Sequence, residues 1–186
     1  MLSHLSMWIL KTLGWSVHAD FPEVKKYIVI AAPHTSNWDF PLGILAAKAL
    51  NLKVHWIGKS SLFRRPFGWF FRAIGGAPVH RGKGADQIKQ IADLFSHKDE
   101  LVIALAPEGT RSKRSHWKTG FWHIARIAEV PITMAYLDFG QKQVGLGGTF
   151  YSCDSIEKDF EKIRLFYTGR HGKNPAQESL IQLAKK

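Results

Sequence analysis

Two short apolar runs, residues 27–32 and 101–106, constrain the fold of this chain more than any other feature. Each run ends directly before a proline that opens a polar turn, which is typical of a buried strand. Helical patterns alternate with runs of this kind through the first two-thirds of the chain. The alternation predicts an α/β fold with a mainly parallel sheet flanked by helices.

The remaining elements follow from the same patterns. Strands are predicted at 27–32, 54–57, 77–80, 101–106, 132–137 and 149–151. Helices are predicted at 38–50, 61–74, 85–97, 116–129, 155–167 and 176–184. The glycine-rich residues 141–148 are expected to form a loop or hairpin, and residues 168–175 a mobile basic loop. No linker-like stretch divides the 186 residues, so we expect one domain over residues 1–186.

A histidine and an aspartate, His34 and Asp39, lie five positions apart in the turn after the first apolar run. On one helix this separation would place the two side chains about 140° apart, so they could not easily meet. In a turn they can meet, and a carboxylate beside an imidazole makes a general base. The pair alone is weak evidence, because chance supplies such spacings often.

Two further turns strengthen the interpretation. The run 101–106 leads into Pro107-Glu108-Gly109-Thr110-Arg111, and the short run 77–80 leads into Arg81. If these strands are parallel, the polar groups of all three turns lie at the carboxyl edge of one sheet. Open α/β folds place their sites at that edge.

With these residues the chain resembles the glycerolipid acyltransferase family, which includes the bacterial lysophosphatidic acid acyltransferases. Four blocks match in order: His-x4-Asp at 34–39, a basic and aromatic stretch at 59–81, Pro-Glu-Gly-Thr-Arg at 107–111, and Val-Pro-Ile at 130–132. The chain departs from the family pattern at Ala106, where phenylalanine is usual, and at Ser61, where an acidic residue is common.

The resemblance implies an O-acyltransferase that moves a fatty acyl group from an acyl-CoA or acyl carrier protein thioester to the free hydroxyl of a lysolipid. The expected acceptor is 1-acyl-sn-glycerol-3-phosphate, which would give phosphatidic acid. His34 would accept the proton of the acceptor hydroxyl, and Asp39 would orient the imidazole. No cofactor is expected beyond the thioester co-substrate, and no metal site is expected because no cluster of ligands has metal spacing.

Several residues are candidates for holding the acceptor. Arg81 and Arg111 could pair bidentately with a phosphate, and Lys59 would add positive charge. The resemblance also implies that Glu108, Gly109, Thr110 and Arg111 form an acceptor-binding turn. Since an anion repels phosphate, Glu108 is expected to bind a hydroxyl or to hold an arginine.

The N-terminal residues 1–17 are apolar but too short for a membrane span and are interrupted by Lys11. Leu2, Leu5, Ile9 and Leu13 share one helical face, with Trp8 and Trp15 alongside. This pattern predicts a short membrane-interface helix within residues 1–20, although a helix packed on the protein's own core would show the same pattern.

The net charge of +11 fits an anionic partner, and arginines interleave with aromatic residues between positions 61 and 72. A basic amphipathic helix of this kind is typical of a membrane surface, although the aromatic stripe could simply be core. We expect membrane lipids and the acyl donor as partners, no nucleic acid, and a peripheral or monotopic protein at the cytoplasmic face of the membrane. The single Cys153 favours a reducing compartment.

Three alternatives remain at this stage. The acceptor could be another lysolipid, such as a lyso-ornithine lipid. The chain could be a non-catalytic basic module that binds membrane or nucleic acid, which would leave the His34–Asp39 turn without a role. It could also be a hydrolase of acyl thioesters that uses water as the acceptor.

Overall fold

A computed structural model describes residues 2–79 and 84–185 of the chain. Its strands are β1 (Ser16–Ala19), β2 (Lys26–Ala32), β3 (Val54–Lys59), β4 (Gly76–Val79), β5 (Leu101–Leu105), β6 (Ile132–Asp138) and β7 (Gln143–Phe150). They form one sheet in the order β1-β7-β6-β2-β5-β3-β4. Neighbouring strands are parallel except β6 and β7, which are antiparallel. The predicted α/β class and the mainly parallel sheet are confirmed.

The helices are α1 (Leu2–Thr12), α2 (Asp39–Ala49), α3 (Gly68–Ala73), α4 (Gly84–Ser96), α5 (Gly120–Ala128) and α6 (Ile156–Tyr167). Short 3-10 turns lie at Ser60–Phe63 and Pro175–Gln177. The predictions for α2, α4 and α6 are confirmed to within about one residue. The prediction for α5 is wrong at its start, because residues 116–119 precede the helix.

The central strand β2 is apolar because both of its faces are covered. Ile28 and Ile30 are fully buried in the larger core, which contains Phe95 of α4, Phe121 of α5 and Phe160 of α6. The alternate residues of β2 face the other side of the sheet, where α1, α2 and α3 pack. With hydrogen-bonded neighbours on both edges, this strand gives its carboxyl end a fixed position.

Strand β1 was not predicted, and β7 was predicted only in part. Residues 141–148 were expected to form a loop or hairpin, and the hairpin is confirmed, because β7 pairs antiparallel with β6 after a short turn. Most of these residues belong to β7 itself, so the predicted strand at 149–151 is only its end. A side chain at Gly145 would overlap the ring of Tyr136 on β6, so the glycine is required by contact with the neighbouring strand. This contact explains why β7 lacks the usual sequence signal of a strand.

The predicted helix at 61–74 is also wrong, because a 3-10 turn and α3 flank a break that contains Pro66. A proline inside a helix removes one hydrogen bond and clashes with the preceding turn. The predicted helix at 176–184 is absent, and only Pro175–Gln177 form a 3-10 turn. Residues 171–182 instead form hydrogen bonds with the end of β6 and with the loop before α5. We call this segment the C-terminal strap.

The N-terminal helix ends at Thr12 and divides its apolar residues between two environments. Leu10 is fully buried against Leu42 of α2, and Trp15, just beyond the helix, is also buried. The exposed apolar residues of this segment are Leu2, Leu5, Trp8 and Leu13. Packing on the protein's own core therefore accounts for Leu10 and Trp15, whereas the membrane-interface role of the exposed side chains stays a prediction. In the described part of the chain, no helix has the length and hydrophobicity needed to cross a bilayer.

Candidate active site

The turn between β2 and α2 is closed by one carboxylate. Asp39, the first residue of α2, accepts the backbone N–H groups of Thr35 and Ser36 through Oδ2, both at 2.8 Å. The same oxygen lies 3.0 Å from Nδ1 of His34. An acidic residue in the first turn of a helix is also stabilised by the helix dipole. The predicted meeting of His34 and Asp39 therefore follows from the local geometry of this turn.

This contact sets the proton arrangement of the imidazole. A carboxylate only accepts hydrogen bonds, so Nδ1 of His34 carries the proton and Nε2 is the basic nitrogen. In residues 2–79 and 84–185, no hydrogen bond engages Nε2. The side chain of Asp39 is 3% exposed and that of His34 is 23% exposed. A buried carboxylate thus orients an imidazole that is partly exposed to solvent.

A second buried carboxylate holds the backbone of the histidine. Glu108 lies in the turn after β5, which pairs with β2, and is 2% exposed. Its Oε1 accepts the backbone N–H of His34 at 2.7 Å, and its Oε2 accepts the hydroxyl of Ser179 at 2.9 Å. Burial raises the pKa of the Glu108 carboxyl, and these two hydrogen bonds partly oppose the rise. The structure gives Glu108 these partners rather than an arginine; its predicted contact with substrate stays a prediction.

In the rest of this turn, Pro107 is buried, Thr110 is partly buried and Gly109 is exposed. Gly109 has a φ of +66°, and a Cβ there would lie 2.8 Å from Nζ of Lys118, so the glycine permits the lysine to pack over the turn. Thr110 accepts the N–H of Ser112 at 3.3 Å through its hydroxyl. Arg111 is exposed.

The other two predicted phosphate-binding residues are Lys59 and Arg81. Lys59 ends β3, so its backbone lies at the same carboxyl edge of the sheet as His34 and Glu108. Arg81 lies outside the described residues. Within the described ranges, no group of three or more His, Cys, Asp or Glu side chains could hold a metal ion.

Sequence reasoning missed the contribution of the C-terminal strap. Asn174 donates its backbone N–H to Oγ1 of Thr35 at 3.1 Å and its side-chain amide to the carbonyl of Thr35 at 2.9 Å. Lys173 lies over the exposed ring of Trp38, 5.0 Å from the ring centre. No spacing in the sequence signals these contacts, because the strap and the turn lie at opposite ends of the chain.

A similar arrangement of sheet and helices also occurs in a solved structure. The crystal structure of the 1-acyl-sn-glycerophosphate (LPA) acyltransferase PlsC from Thermotoga maritima has a similar fold, with a TM-score of 0.57 and 16% identity. The similarity covers 89% of this chain and 73% of that one.

A protein-family model described as Acyltransferase matches residues 16–137, and the chain therefore belongs to the acyltransferase family. A 1-acyl-sn-glycerol-3-phosphate acyltransferase from Streptococcus pneumoniae (strain ATCC BAA-255 / R6) is 28% identical over 130 aligned positions, and the alignment covers 64% of this chain. The chain spans about half of that relative's length, at 48%. The family resemblance is confirmed. The matched range includes His34, Asp39 and Glu108, whereas the strap lies beyond it.

We predict that Asp39→Asn keeps the fold and lowers turnover roughly 10²–10⁴-fold. The amide oxygen can still accept from the turn, but the negative charge that stabilises the imidazolium is lost. Steady-state kinetics beside thermal unfolding measure both effects. A variant that unfolds at the wild-type temperature and turns over at the wild-type rate would remove Asp39 from the mechanism.

Proposed function

We propose that this chain is an O-acyltransferase that transfers a fatty acyl group from a thioester to the hydroxyl of a lysolipid. The observation that carries the proposal is the 3.0 Å contact between His34 Nδ1 and Asp39 Oδ2 at the carboxyl edge of β2. Family membership supports the reaction class.

In this mechanism Nε2 of His34 accepts the proton of the acceptor hydroxyl as its oxygen attacks the thioester carbonyl carbon. The new C–O bond forms first, and the C–S bond breaks as the tetrahedral intermediate collapses. The imidazolium, stabilised by Asp39, then returns the proton to the leaving thiolate. A positioned base of this kind contributes typically 10²–10⁴-fold to the rate, roughly 3–5 kcal/mol of barrier.

We propose 1-acyl-sn-glycerol-3-phosphate as the acceptor, as the name of the Streptococcus pneumoniae relative suggests. Its phosphate would be held by Lys59, Arg81 and Arg111. Lys118 packs over Gly109 and is a fourth cation, beside the turn that contains Arg111. The donor is proposed to be an acyl-CoA or an acyl carrier protein thioester, with no metal or other cofactor in the reaction.

We further propose that the protein works as a peripheral protein on the cytoplasmic face of a membrane. The helices α1, α2 and α3 cover the same face of the sheet, since α1 packs on α2 and Phe40 of α2 contacts Trp56 of β3, which in turn contacts Phe71 of α3. Exposed apolar side chains on these helices and in the turns next to them are Leu2, Leu5, Trp8, Leu13, Trp38, Leu62, Phe67, Trp69 and Phe70. A face with this composition favours contact with lipid over contact with water.

The reaction is tested by thiol release from a long-chain acyl-CoA, with and without lysophosphatidic acid. We expect release to require the acceptor and to fall at least about 10²-fold in His34→Ala, because the base is lost. His97→Ala is the matched control, since His97 is an exposed histidine after α4. Parallel reactions with a lyso-ornithine lipid and with acyl carrier protein as donor define the substrates.

Each other outcome contradicts a different part of the proposal. Release at the same rate without any acceptor would identify a thioester hydrolase. Acceptor-dependent release that persists in His34→Ala would exclude the dyad as the base. Lipid binding that survives His34→Ala, with no turnover on any donor and acceptor, would support a non-catalytic membrane-binding module.

Membrane binding is tested by point substitutions, because deletion of residues 1–17 would also remove part of β1 and the buried Leu10 and Trp15. We expect Leu5→Gln combined with Trp8→Gln to lower partitioning into anionic liposomes about tenfold or more, since each apolar side chain contributes on the order of 1–2 kcal/mol when buried.

The matched control for this experiment is Leu165→Gln. Leu165 is 78% exposed but lies on α6, across the sheet from α1. Cosedimentation with liposomes measures the partitioning. Equal losses in both variants, or no loss in either, would contradict the interfacial role of α1.

A further inference from the structure

The turn that carries His34 is held by groups outside it. Glu108 accepts the backbone N–H of His34, and Asp39 accepts the next two backbone N–H groups. Further hydrogen bonds come from Asn174, which donates to both the carbonyl and the hydroxyl of Thr35. Thr35 is 1% exposed, so the strap supplies hydrogen bonds that water cannot supply there.

The C-terminal strap is anchored at both of its ends. At its start, the backbone N–H of Phe139 donates to the carbonyl of His171 at 2.8 Å. At its end, the backbone N–H of Trp117 donates to the carbonyl of Gln182 at 3.0 Å. The first anchor follows β6 and the second precedes α5. The segment between them therefore crosses the carboxyl edge of the sheet, where the dyad lies.

The strap also fits closely against the turn. A Cβ at Gly172 would lie 2.5 Å from Oγ1 of Thr35, so a larger residue there would displace the strap or the turn. The backbone N–H of Gly172 donates to Oε1 of Glu178 at 2.8 Å, which fixes the shape of the strap itself.

Ser179 connects the strap to the second buried carboxylate. Its hydroxyl donates to Oε2 of Glu108 and accepts the backbone N–H of Arg114 at 3.1 Å. Glu108 uses its other oxygen to hold the backbone of His34. The strap therefore reaches the catalytic histidine by two routes, one through Thr35 and one through Glu108.

We propose that Asn174 and Ser179 are positioning residues for acyl transfer, which act by holding the backbone of residues 34–35 so that the His34 imidazole meets the acceptor hydroxyl. This inference rests on the proposed function. Neither residue touches the reacting atoms. Small displacements of a catalytic group are sufficient to slow a reaction strongly, because catalysis depends on near-attack geometry.

The test compares the kinetics of Ser179→Ala and Asn174→Asp with those of Ser179→Thr and Gln182→Ala. Ser179→Thr keeps the hydroxyl, and Asn174→Asp keeps the size of the side chain but removes its donor. Gln182→Ala removes a strap hydrogen bond to the carbonyl of Ser115, at 2.7 Å, that has no contact with the His34 turn.

We expect kcat to fall about 10- to 100-fold in Ser179→Ala and Asn174→Asp, with the KM of each substrate within about twofold of wild type. Ser179→Thr should restore most of the rate, and Gln182→Ala should behave as wild type. Wild-type kcat in Ser179→Ala and Asn174→Asp would overturn the inference. The inference would also be overturned if Gln182→Ala lost as much kcat as Ser179→Ala and both variants unfolded at a lower temperature than wild type. The strap would then act through stability alone.

Amide hydrogen exchange at His34 separates this inference from the proposed function. We expect the His34 N–H to exchange about tenfold faster in Ser179→Ala than in Gln182→Ala, because Glu108 then loses the partner that holds it. Unchanged exchange would overturn the positioning role even if acyl transfer occurs. Faster exchange in Ser179→Ala, combined with a wild-type protein that shows no acyl transfer, would contradict only the proposed function.

Discussion

The Asp39 carboxylate is the constraint on which the site depends. One of its oxygens accepts two backbone N–H groups of the turn and also faces Nδ1 of His34. A single buried charge thereby closes the turn after β2, orients the imidazole and provides the negative charge that an imidazolium needs. Loss of the whole Asp39 side chain would affect all three properties together, whereas loss of the charge alone would leave an oxygen that can close the turn. Loss of His34 would remove only the proposed base.

The position of this turn is set by the central strand and by Glu108. Because β2 lies between β6 and β5 and is buried on both faces, its carboxyl end has little freedom. Glu108 then joins the end of β5 to the backbone of His34, at the cost of burying a second carboxylate. Such a carboxylate is tolerated only with hydrogen-bond donors, and one of its two donors comes from the strap.

The sequence predicted the features that depend on local interactions. Strands β2 and β5 contain unbroken apolar runs, and β6 is apolar apart from Thr133 and Asp138. The His34–Asp39 contact spans five residues, so the strands and this contact could be derived from pattern and turn geometry. The features that were missed depend on contacts between distant residues. Position 145 requires glycine because a side chain there would overlap the ring of Tyr136. The hydrogen bond between Asn174 and Thr35 joins residues 139 positions apart. The apolar residues near the C-terminus have the spacing of a helix, but their backbone forms hydrogen bonds with the loop before α5.

The most direct measurement of the central claim is the tautomer of His34, determined by ¹⁵N NMR of protein with labelled histidine. The chain has nine histidines, and comparison with His34→Gln identifies the resonances of interest. For the neutral imidazole, the account predicts a proton on Nδ1 and a free lone pair on Nε2. A proton on Nε2 would contradict it, since the accessible nitrogen could then not accept the proton of the acceptor hydroxyl.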